Sequence, residues 1–270
     1  MNRTSIPHWR EFLVGGGRIR IDGASTRLIL PPATAKQYSD AQLDDYAGLP
    51  RSAYPHRPPA RLSLKARFSH RLERRPASTV ASTTLAGTAG FGFWNNPFGA
   101  QSSTPAFPQA LWFFYASPPS EMALAFGVPG FGWKAACIDA GRASALAWIP
   151  LAPLVVLASR SSRLYRALWP RAQRSLAIHE RLLAMREGES TDWHRYELEW
   201  RRDGACWRVD GETQLETDRS PRGPLGLVAW IDNQYARVTP QGSLRFGLLD
   251  VQCEQWLELA EVDVTSGTRA

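Results

Sequence analysis

The spacing of hydrophobic and polar positions changes along the chain, and the first stretch, residues 15–139, has short alternating patterns. In residues 61–68 (Arg-Leu-Ser-Leu-Lys-Ala-Arg-Phe) apolar side chains recur at every second position, which predicts a strand with one face toward solvent. Residues 110–116 (Ala-Leu-Trp-Phe-Phe-Tyr-Ala) are almost all apolar and predict a central strand covered on both faces. The dipeptide Asp22-Gly23 lies between two alternating runs and predicts a hairpin turn.

The pattern changes from about residue 144. Apolar residues then recur every four positions, at Leu164, Leu168, Ala172 and Leu176. Together with intervening arginines, this period predicts an amphipathic helical insertion over residues 144–188. Alternation returns at residue 193, where Asp203-Gly204 and Asp210-Gly211 flank an aromatic strand and predict turns with positive φ angles. We therefore expect an all-β fold with a helical insertion, in a single β-sandwich domain over residues 1–270.

The aromatic content adds a second expectation. The chain contains 11 Trp, 11 Phe and 7 Tyr, and 44% of its residues are hydrophobic. These values suit a packed globular core. A core seldom needs so many tryptophans, however, so some of them are expected to line a ligand-binding surface.

The net charge of +7 is concentrated in one segment. Residues 160–186 contain a single acid, Glu180, against seven arginines: Arg160, Arg163, Arg166, Arg171, Arg174, Arg181 and Arg186. A nucleic-acid-binding protein is expected to spread its basic residues over the binding face, so we expect no nucleic-acid partner. This basic helix, residues 160–186, is either a solvated surface or a peripheral contact with a membrane or an acidic partner.

Several functional classes lack their sequence signatures. The first ten residues hold no apolar run of signal-peptide length, and no stretch reaches the ~18–20 apolar residues of a membrane span. Cys137, Cys206 and Cys253 are widely spaced and form no CxxC motif, so we expect buried thiols in a cytoplasmic protein. Nucleotide-binding, metalloprotease, zinc and nucleophile-elbow motifs are missing, so no cofactor or metal is expected, while calcium binding by scattered aspartates stays open.

Four segments resemble one enzyme family. Residues 193–200 (Trp-His-Arg-Tyr-Glu-Leu-Glu-Trp), followed by 207–211 (Trp-Arg-Val-Asp-Gly), resemble the FHTYxIEW…YVDG hairpin of glycoside hydrolase family 16. Residues 90–94 resemble the family's GLWPAFW strand, and residues 62–67 its GRFEARIK strand. The family belongs to the concanavalin A-like lectin and glucanase superfamily. The resemblance implies a concanavalin A-like jelly-roll sandwich with a concave ligand-binding face, and the helical insertion has no counterpart in it.

The catalytic motif of that family is missing here. Family 16 enzymes carry E-x-D-x-E or E-x-D-x-x-E on the strand after the tryptophan strand, and retaining glycoside cleavage needs two carboxyl groups ~5–5.5 Å apart. The strand in that place, residues 109–115, contains no carboxylate, and the nearest acid, Glu121, lies beyond Pro118 and Pro119. Unless the chemistry has moved elsewhere, the chain is not a family 16 glycosidase.

Residues 38–46 (Tyr-Ser-Asp-Ala-Gln-Leu-Asp-Asp-Tyr) contain the first candidate acids. Strand alternation puts Gln42, Asp44 and Tyr46 on one face and Asp45 on the other. One aspartate is then expected to face an aromatic cleft, where loss of solvent raises the pKa of a carboxyl group and suits it to acid catalysis. The alternative is that both aspartates lie in water at a strand edge.

Aromatic and amide side chains supply candidate ligand contacts. Trp94 ends a glycine-rich strand and precedes Asn95 and Asn96, so its ring can stack on a sugar or a polyene while the amides hydrogen-bond the ligand. A turn beside a core tryptophan is the alternative. Trp112 and Tyr115 occupy the strand that lacks carboxylates, and they line either the cleft or the sandwich core.

The segment 230–235 (Trp-Ile-Asp-Asn-Gln-Tyr) is unusually polar for a strand. Its alternating side chains Trp230, Asp232 and Gln234 are expected on the concave face, because polar groups are costly to bury without a ligand or a hydrogen-bond network. Asp232 is therefore a third candidate acid or base.

Two hypotheses follow. The first is a non-canonical enzyme in which Asp44, Asp45 or Asp232 carries out acid/base chemistry in an aromatic cleft. Its substrate is a hydrophobic small molecule such as a terpenoid or polyketide intermediate, which the enzyme cyclises, isomerises or hydrolyses. The alternative is an intracellular lectin-like protein that binds carbohydrate and has lost the hydrolase carboxylates.

Overall fold

The computed structural model describes residues 9–73, 83–97, 106–123, 125–141, 157, 161–183, 189–239 and 243–267. Within them the chain forms two seven-stranded antiparallel sheets and a separate two-stranded sheet. The first sheet has the order β1 (Arg10–Val14), β4 (Asp40–Asp44), β13 (Gly226–Asp232), β6 (Thr88–Trp94), β7 (Gln109–Ala116), β8 (Gly132–Asp139) and β9 (His179–Leu182).

The second sheet packs against the first. Its order is β12 (Glu212–Thr217), β11 (Gly204–Val209), β10 (His194–Arg201), β5 (Ala60–Phe68), β16 (Gln255–Ser266), β3 (Ser25–Leu30) and β2 (Arg18–Asp22). Strands β14 (Gln234–Val238) and β15 (Leu244–Leu248) form the two-stranded sheet, and helix α1 covers Ser162–Ser175. This sandwich with a helix confirms the all-β fold that the alternating patterns predict.

The main hydrophobic core lies between the two large sheets. The ring of Tyr196 on β10 lies 5.2 Å from that of Phe91 on β6 and 5.0 Å from that of Phe113 on β7. The predicted central strand 110–116 is β7, which lies between β6 and β8 as expected. Several tryptophans fill this core, namely Trp133, Trp200 and Trp207. Because burial of one large apolar side chain contributes about 1.5–3 kcal/mol, part of the tryptophan content serves stability.

Of the two Asp-Gly turns after residue 193 that are predicted to need positive φ angles, only the second has them at both residues. Asp210 and Gly211 have φ angles of 50° and 83°, which fits a two-residue hairpin turn between β11 and β12. Gly204 is not in that conformation, and the structure gives a different reason for glycine there. A Cβ atom on Gly204 would lie 2.1 Å from the carbonyl oxygen of Thr217, so only glycine allows strands β11 and β12 to approach this closely here.

Within the described residues, the predicted helical insertion contains helix α1, which ends at Ser175. Helix α1 buries Trp169 and Ala172 and exposes Arg163, Arg166, Arg171 and Arg174, which agrees with the amphipathic pattern. Residues 179–182, expected in the insertion, instead form β9, because they pair with β8 at the sheet edge. Residues 144–156, 158–160 and 184–188, with Arg160 and Arg186, lie outside the described residues. No helix in the described part of the chain is long and apolar enough to cross a membrane.

The three cysteines differ in exposure. Cys137 and Cys206 are buried in strands, as predicted, whereas Cys253 is exposed. The expectation of a buried thiol is therefore wrong for Cys253. Residues 252–254 connect the buried Val251 to β16 at the protein surface, and this places the thiol outside the core.

Candidate functional site

The first sheet carries a groove of about 460 Å³ on the face that points away from the second sheet. Strands β4, β13, β6 and β7 supply most of its lining, and Phe12 of β1 lies at its edge. Four aromatic rings form its floor: Trp94, Trp112, Phe114 and Trp230. Cavities of this size are typical of sites for small ligands.

Strand alternation decides which side chains reach the groove. On β4, Asp40, Gln42 and Asp44 line it, while Ala41 and Leu43 belong to the core between the sheets. On β13, Val228, Trp230 and Asp232 line it. The predicted faces of both strands are therefore confirmed, since successive side chains of a strand point to opposite sides.

Glycines in β6 make room for the indole rings. A Cβ atom on Gly90 would lie 2.7 Å from the Trp230 ring, and one on Gly92 would lie 2.7 Å from Cβ of Trp112. The aromatic side chains of β7 and β13 consequently extend over the backbone of β6. The ring of Trp112 lies 5.6 Å from that of Trp230 and 5.4 Å from that of Phe114, so the floor is one continuous aromatic surface.

Hydrogen bonds hold two of these rings in place. Trp94 Nε1 donates to the Tyr46 hydroxyl at 2.6 Å, and Trp230 Nε1 donates to Thr88 Oγ1 at 2.9 Å. Because both indole nitrogens are bonded within the protein, the faces of the rings are the parts left to contact a ligand.

Two aspartates lie directly opposite each other at one end of the floor. Asp40 on β4 and Asp232 on β13 are cross-strand partners, and they are only 3% and 7% exposed. The Tyr38 hydroxyl donates to Asp40 Oδ2 at 3.0 Å, whereas Asp40 Oδ1 is buried without a hydrogen-bond partner. Asp232 Oδ1 accepts hydrogen bonds from Thr88 Oγ1 at 2.9 Å and from the Gln234 amide at 3.0 Å.

Burial makes both carboxyl groups weaker acids than usual. It raises the pKa of Asp40 well above the usual value, and the neighbouring Asp232 raises it further. Burial also raises the pKa of Asp232 to about 6, against the opposing effect of its hydrogen bonds. We call these two residues the Asp40–Asp232 pair. The pair keeps a proton at pH values where an exposed aspartate has lost it.

The predicted acids Asp44 and Asp45 occupy different environments. Asp44 lies at the groove, but its Oδ1 accepts hydrogen bonds from the amides of Tyr46 and Ala47, and its Oδ2 accepts one from Gln42. These bonds close the turn after β4. Asp45 does not line the groove: its Oδ2 lies 2.6 Å from His56 Nε2, and its Oδ1 accepts from the Leu227 amide. Expecting Asp45 in the cleft is therefore wrong, because alternation turns it to the other face.

Two predicted ligand contacts also lie elsewhere. The Asn95 amide nitrogen donates to the carbonyl of Phe107, and its oxygen accepts from the Gln109 amide, so the side chain fixes a loop. Tyr115 belongs to the core, where its hydroxyl donates to the Leu85 carbonyl. The remaining predicted residues do line the groove: Gln42, Asp44, Tyr46, Trp94, Asn96, Trp112, Trp230, Asp232 and Gln234.

The sequence interpretation missed Asp40, Tyr38 and Phe12. A signal for Asp40 was present, since it precedes Gln42 by two positions and so shares its face. Its position opposite Asp232 depends on the pairing of β4 with β13, which no local pattern predicts. Among the described residues, no group of three or more His, Cys, Asp or Glu side chains is arranged to hold a metal ion.

No protein-family model and no curated protein matches the sequence. Among solved structures, the chain is similar to a Crh5 transglycosylase in complex with NAG (TM-score 0.48, 11% identity, 97% of this chain and 79% of that one). It is also similar to a β-glucanase of Bacillus licheniformis (0.48, 9%, 99% and 95%) and to the metal-free Emp46p carbohydrate recognition domain (0.43, 10%, 97% and 89%). Because the sequence identities to these structures are near 10%, what the groove binds depends on its own side chains.

Proposed function

We propose that the groove binds a carbohydrate. The observation that carries this proposal is the combination of a continuous aromatic floor with the buried Asp40–Asp232 pair in one cavity. A sugar ring presents C–H groups on its faces and hydroxyl groups around its edge. Indole faces suit the former, and carboxyl and amide groups suit the latter.

The polar groups are distributed as such a ligand requires. Gln42 lies beside Trp230, its cross-strand partner, and the Asp40–Asp232 pair and Gln234 lie toward the end at which β13 terminates. A ring stacked on Trp112 or Trp230 meets hydrogen-bonding side chains at its edge. A purely apolar ligand would leave Asp40 Oδ1, which is buried without a hydrogen-bond partner, unsatisfied, and this is unfavourable.

Trp94 is the position at which to test this proposal. We expect Trp94→Ala to weaken binding about five- to thirtyfold, because Trp94 is one ring of the aromatic floor and loss of a ring contact costs about 1–2 kcal/mol. The measurement is native mass spectrometry and calorimetry with defined β-1,3- and β-1,4-linked gluco- and chito-oligosaccharides. Trp193→Ala is the matched control, since Trp193 is a partly exposed tryptophan outside the groove. The proposal is wrong if wild type binds none of these sugars, or if Trp94→Ala binds them as well as Trp193→Ala and wild type do.

A second candidate function is acid catalysis on a hydrophobic small molecule. The specific observation is that a carboxyl pair that keeps a proton near pH 6 lies beside aromatic rings. A protonated carboxyl group can donate to an alkene or an ether oxygen, and aromatic faces stabilise the resulting cation. The substrate class is a terpenoid or polyketide intermediate, and the reaction is a cyclisation, an isomerisation or a hydrolysis.

This candidate differs from the first in its dependence on the proton. Asp40→Asn and Asp232→Asn are expected to abolish turnover of an apolar metabolite that co-purifies with the protein, while its retention persists. Mass spectrometry of the gently purified protein identifies that metabolite, and product formation is then followed by chromatography. Full turnover in both variants excludes the pair as the acid.

A further inference from the structure

A cysteine, a histidine and a serine meet at the surface beside strands β5 and β16. Ser69 and His70 directly follow β5, and Cys253 lies two residues before β16. His70 Nε2 lies 3.2 Å from Cys253 Sγ, and His70 Nδ1 lies 2.7 Å from Ser69 Oγ. A nucleophile, a base and a group that orients the base are thus within hydrogen-bonding distance of one another, which is the arrangement that activates side-chain nucleophiles.

The serine is itself held by the backbone. The amide of Trp256 donates to Ser69 Oγ at 2.8 Å. A hydroxyl oxygen has two lone pairs, so Ser69 Oγ can also accept a hydrogen bond from Nδ1–H of His70. In that tautomer the lone pair of His70 Nε2 is directed at the thiol of Cys253.

His70 is available as a proton acceptor at neutral pH. Burial lowers the pKa of His70 from its usual value of 6.5, so its imidazole is neutral at pH 7. The carboxylate of Glu254, next to Cys253 in the chain, lies 2.6 Å from the guanidinium of Arg18 and is neutralised by it. Cys253 is exposed, whereas Cys137 and Cys206 are 0% and 1% exposed, so the chain contains its own unreactive reference thiols.

We propose that Cys253 is a reactive thiol that forms mixed disulfides with low-molecular-weight disulfides, with His70 as proton acceptor and Ser69 as a positioning residue. The Cys253 thiol gives its proton to His70 Nε2, and Sγ attacks one sulfur of the disulfide. A bond forms between Sγ and that sulfur, the original S–S bond breaks, and the second sulfur leaves as a thiolate. The exchange needs no further oxidant. This site is separate from the groove, which none of the three residues lines.

The test uses 5,5′-dithiobis(2-nitrobenzoic acid), an aromatic disulfide whose leaving thiolate is coloured. We expect one thiol per folded chain to react, and peptide mass mapping to place the adduct on Cys253. His70→Gln keeps a polar side chain without a basic nitrogen, and at pH 7 it should slow the reaction about tenfold. His194→Gln is the matched control, because His194 contacts Asp210 and Glu189 instead.

The pH profile distinguishes proton transfer from a structural role of His70. The wild-type rate should be nearly constant between pH 7 and 8, because neutral His70 is already present. In His70→Gln it should rise about tenfold per pH unit, because the thiol proton must then go to hydroxide in the solvent. Ser69→Ala should fall between these two. The proposal is overturned if wild type itself rises tenfold per unit, or if His70→Gln reacts at the wild-type rate.

Discussion

The first sheet buries acidic side chains on its groove face in two places, on β8 and β9 and on β4 and β13. The acid on β9 has a basic partner, whereas the acids on β4 and β13 face each other. In the covered half, on β8 and β9, Lys134 and Glu180 form an ion pair of 3.7 Å, and their side chains are 1% and 6% exposed. In the open half, the Asp40–Asp232 pair brings two acids together on β4 and β13. The lining of the groove on that side includes no Lys or Arg among the described residues.

Different neighbours cover the two halves. Over β8, Lys134 Nζ donates to the carbonyl of Met122 at 3.2 Å, and the Ala125 amide donates to Glu180 Oε2 at 3.2 Å. Ala125 also packs with Ile138 and Ile178 in a small apolar cluster. Residues 122–123 and 125–128 thus lie over this half of the face. Trp112 contacts both this cluster and the aromatic floor, so it marks the boundary between the halves.

The Lys134–Glu180 pair and the Asp40–Asp232 pair differ in whether their buried charges stabilise each other. Burial raises the pKa of Glu180 and lowers that of Lys134, but each charge opposes the shift of the other. Such mutual compensation lets a buried pair serve structure. In the Asp40–Asp232 pair each charge destabilises the other, so folding alone does not explain it. Perturbed carboxyl groups in a ligand-sized groove are typical of functional sites.

The largest expected effect comes from breaking the compensated pair. Lys134→Met leaves Glu180 buried without its cation, which should lower the free energy of unfolding by about 3–5 kcal/mol. The double variant Lys134→Met/Glu180→Leu removes both charges at similar volume and should recover most of that loss. Urea denaturation at pH 7 measures both. If the single and double variants are equally unstable, Lys134 contributes through packing and the contrast between the halves is weakened.

A smaller effect should come from the uncompensated pair, as a dependence of stability on pH. The folded pKa of Asp232 is about 6 against an ordinary 3.8, so the folded chain binds more protons than the unfolded chain between these values. The free energy of unfolding should therefore fall as pH rises from about 4 to 6, and Asp40 extends the fall upward. For a shift of roughly 2 units, its size is on the order of 2–3 kcal/mol.

Asp232→Asn should make this fall shallower and leave the part that the buried Asp40 contributes, and denaturation at several pH values measures the difference. Glu258, whose pKa is lowered from 4.5, has the opposite sign but is the same in both proteins, so the difference between the two profiles reports Asp232. If the free energy of unfolding changes with pH equally in wild type and in Asp232→Asn between pH 4 and 6, Asp232 does not titrate there. The proposal that Asp232 is an acid of the groove is then wrong.

Local pattern predicted much of this site, and long-range pairing supplied the rest. Alternation alone gave the faces of β4 and β13, and with them Gln42, Trp230 and Asp232. It could not show that β4 and β13 are neighbours, because 192 positions separate Asp40 from Asp232. That no Lys or Arg among the described residues lines the groove beside the Asp40–Asp232 pair likewise depends on how the strands assemble into the sheet. Tyr115 was misplaced for a related reason, since an apolar strand covered on both faces gives no signal of which face meets the core.

The smallest expected effect is at Asp44, and it sharpens the comparison within a single strand. Asp44 shares the groove face of β4 with Asp40, but its oxygens accept hydrogen bonds from two backbone amides and from Gln42. Asp44→Asn should lower the free energy of unfolding by only about 1 kcal/mol, the net value of a hydrogen bond or two. Urea denaturation at pH 7 measures this loss. A loss as large as that expected for Lys134→Met would show that Asp44 does more than close the turn after β4.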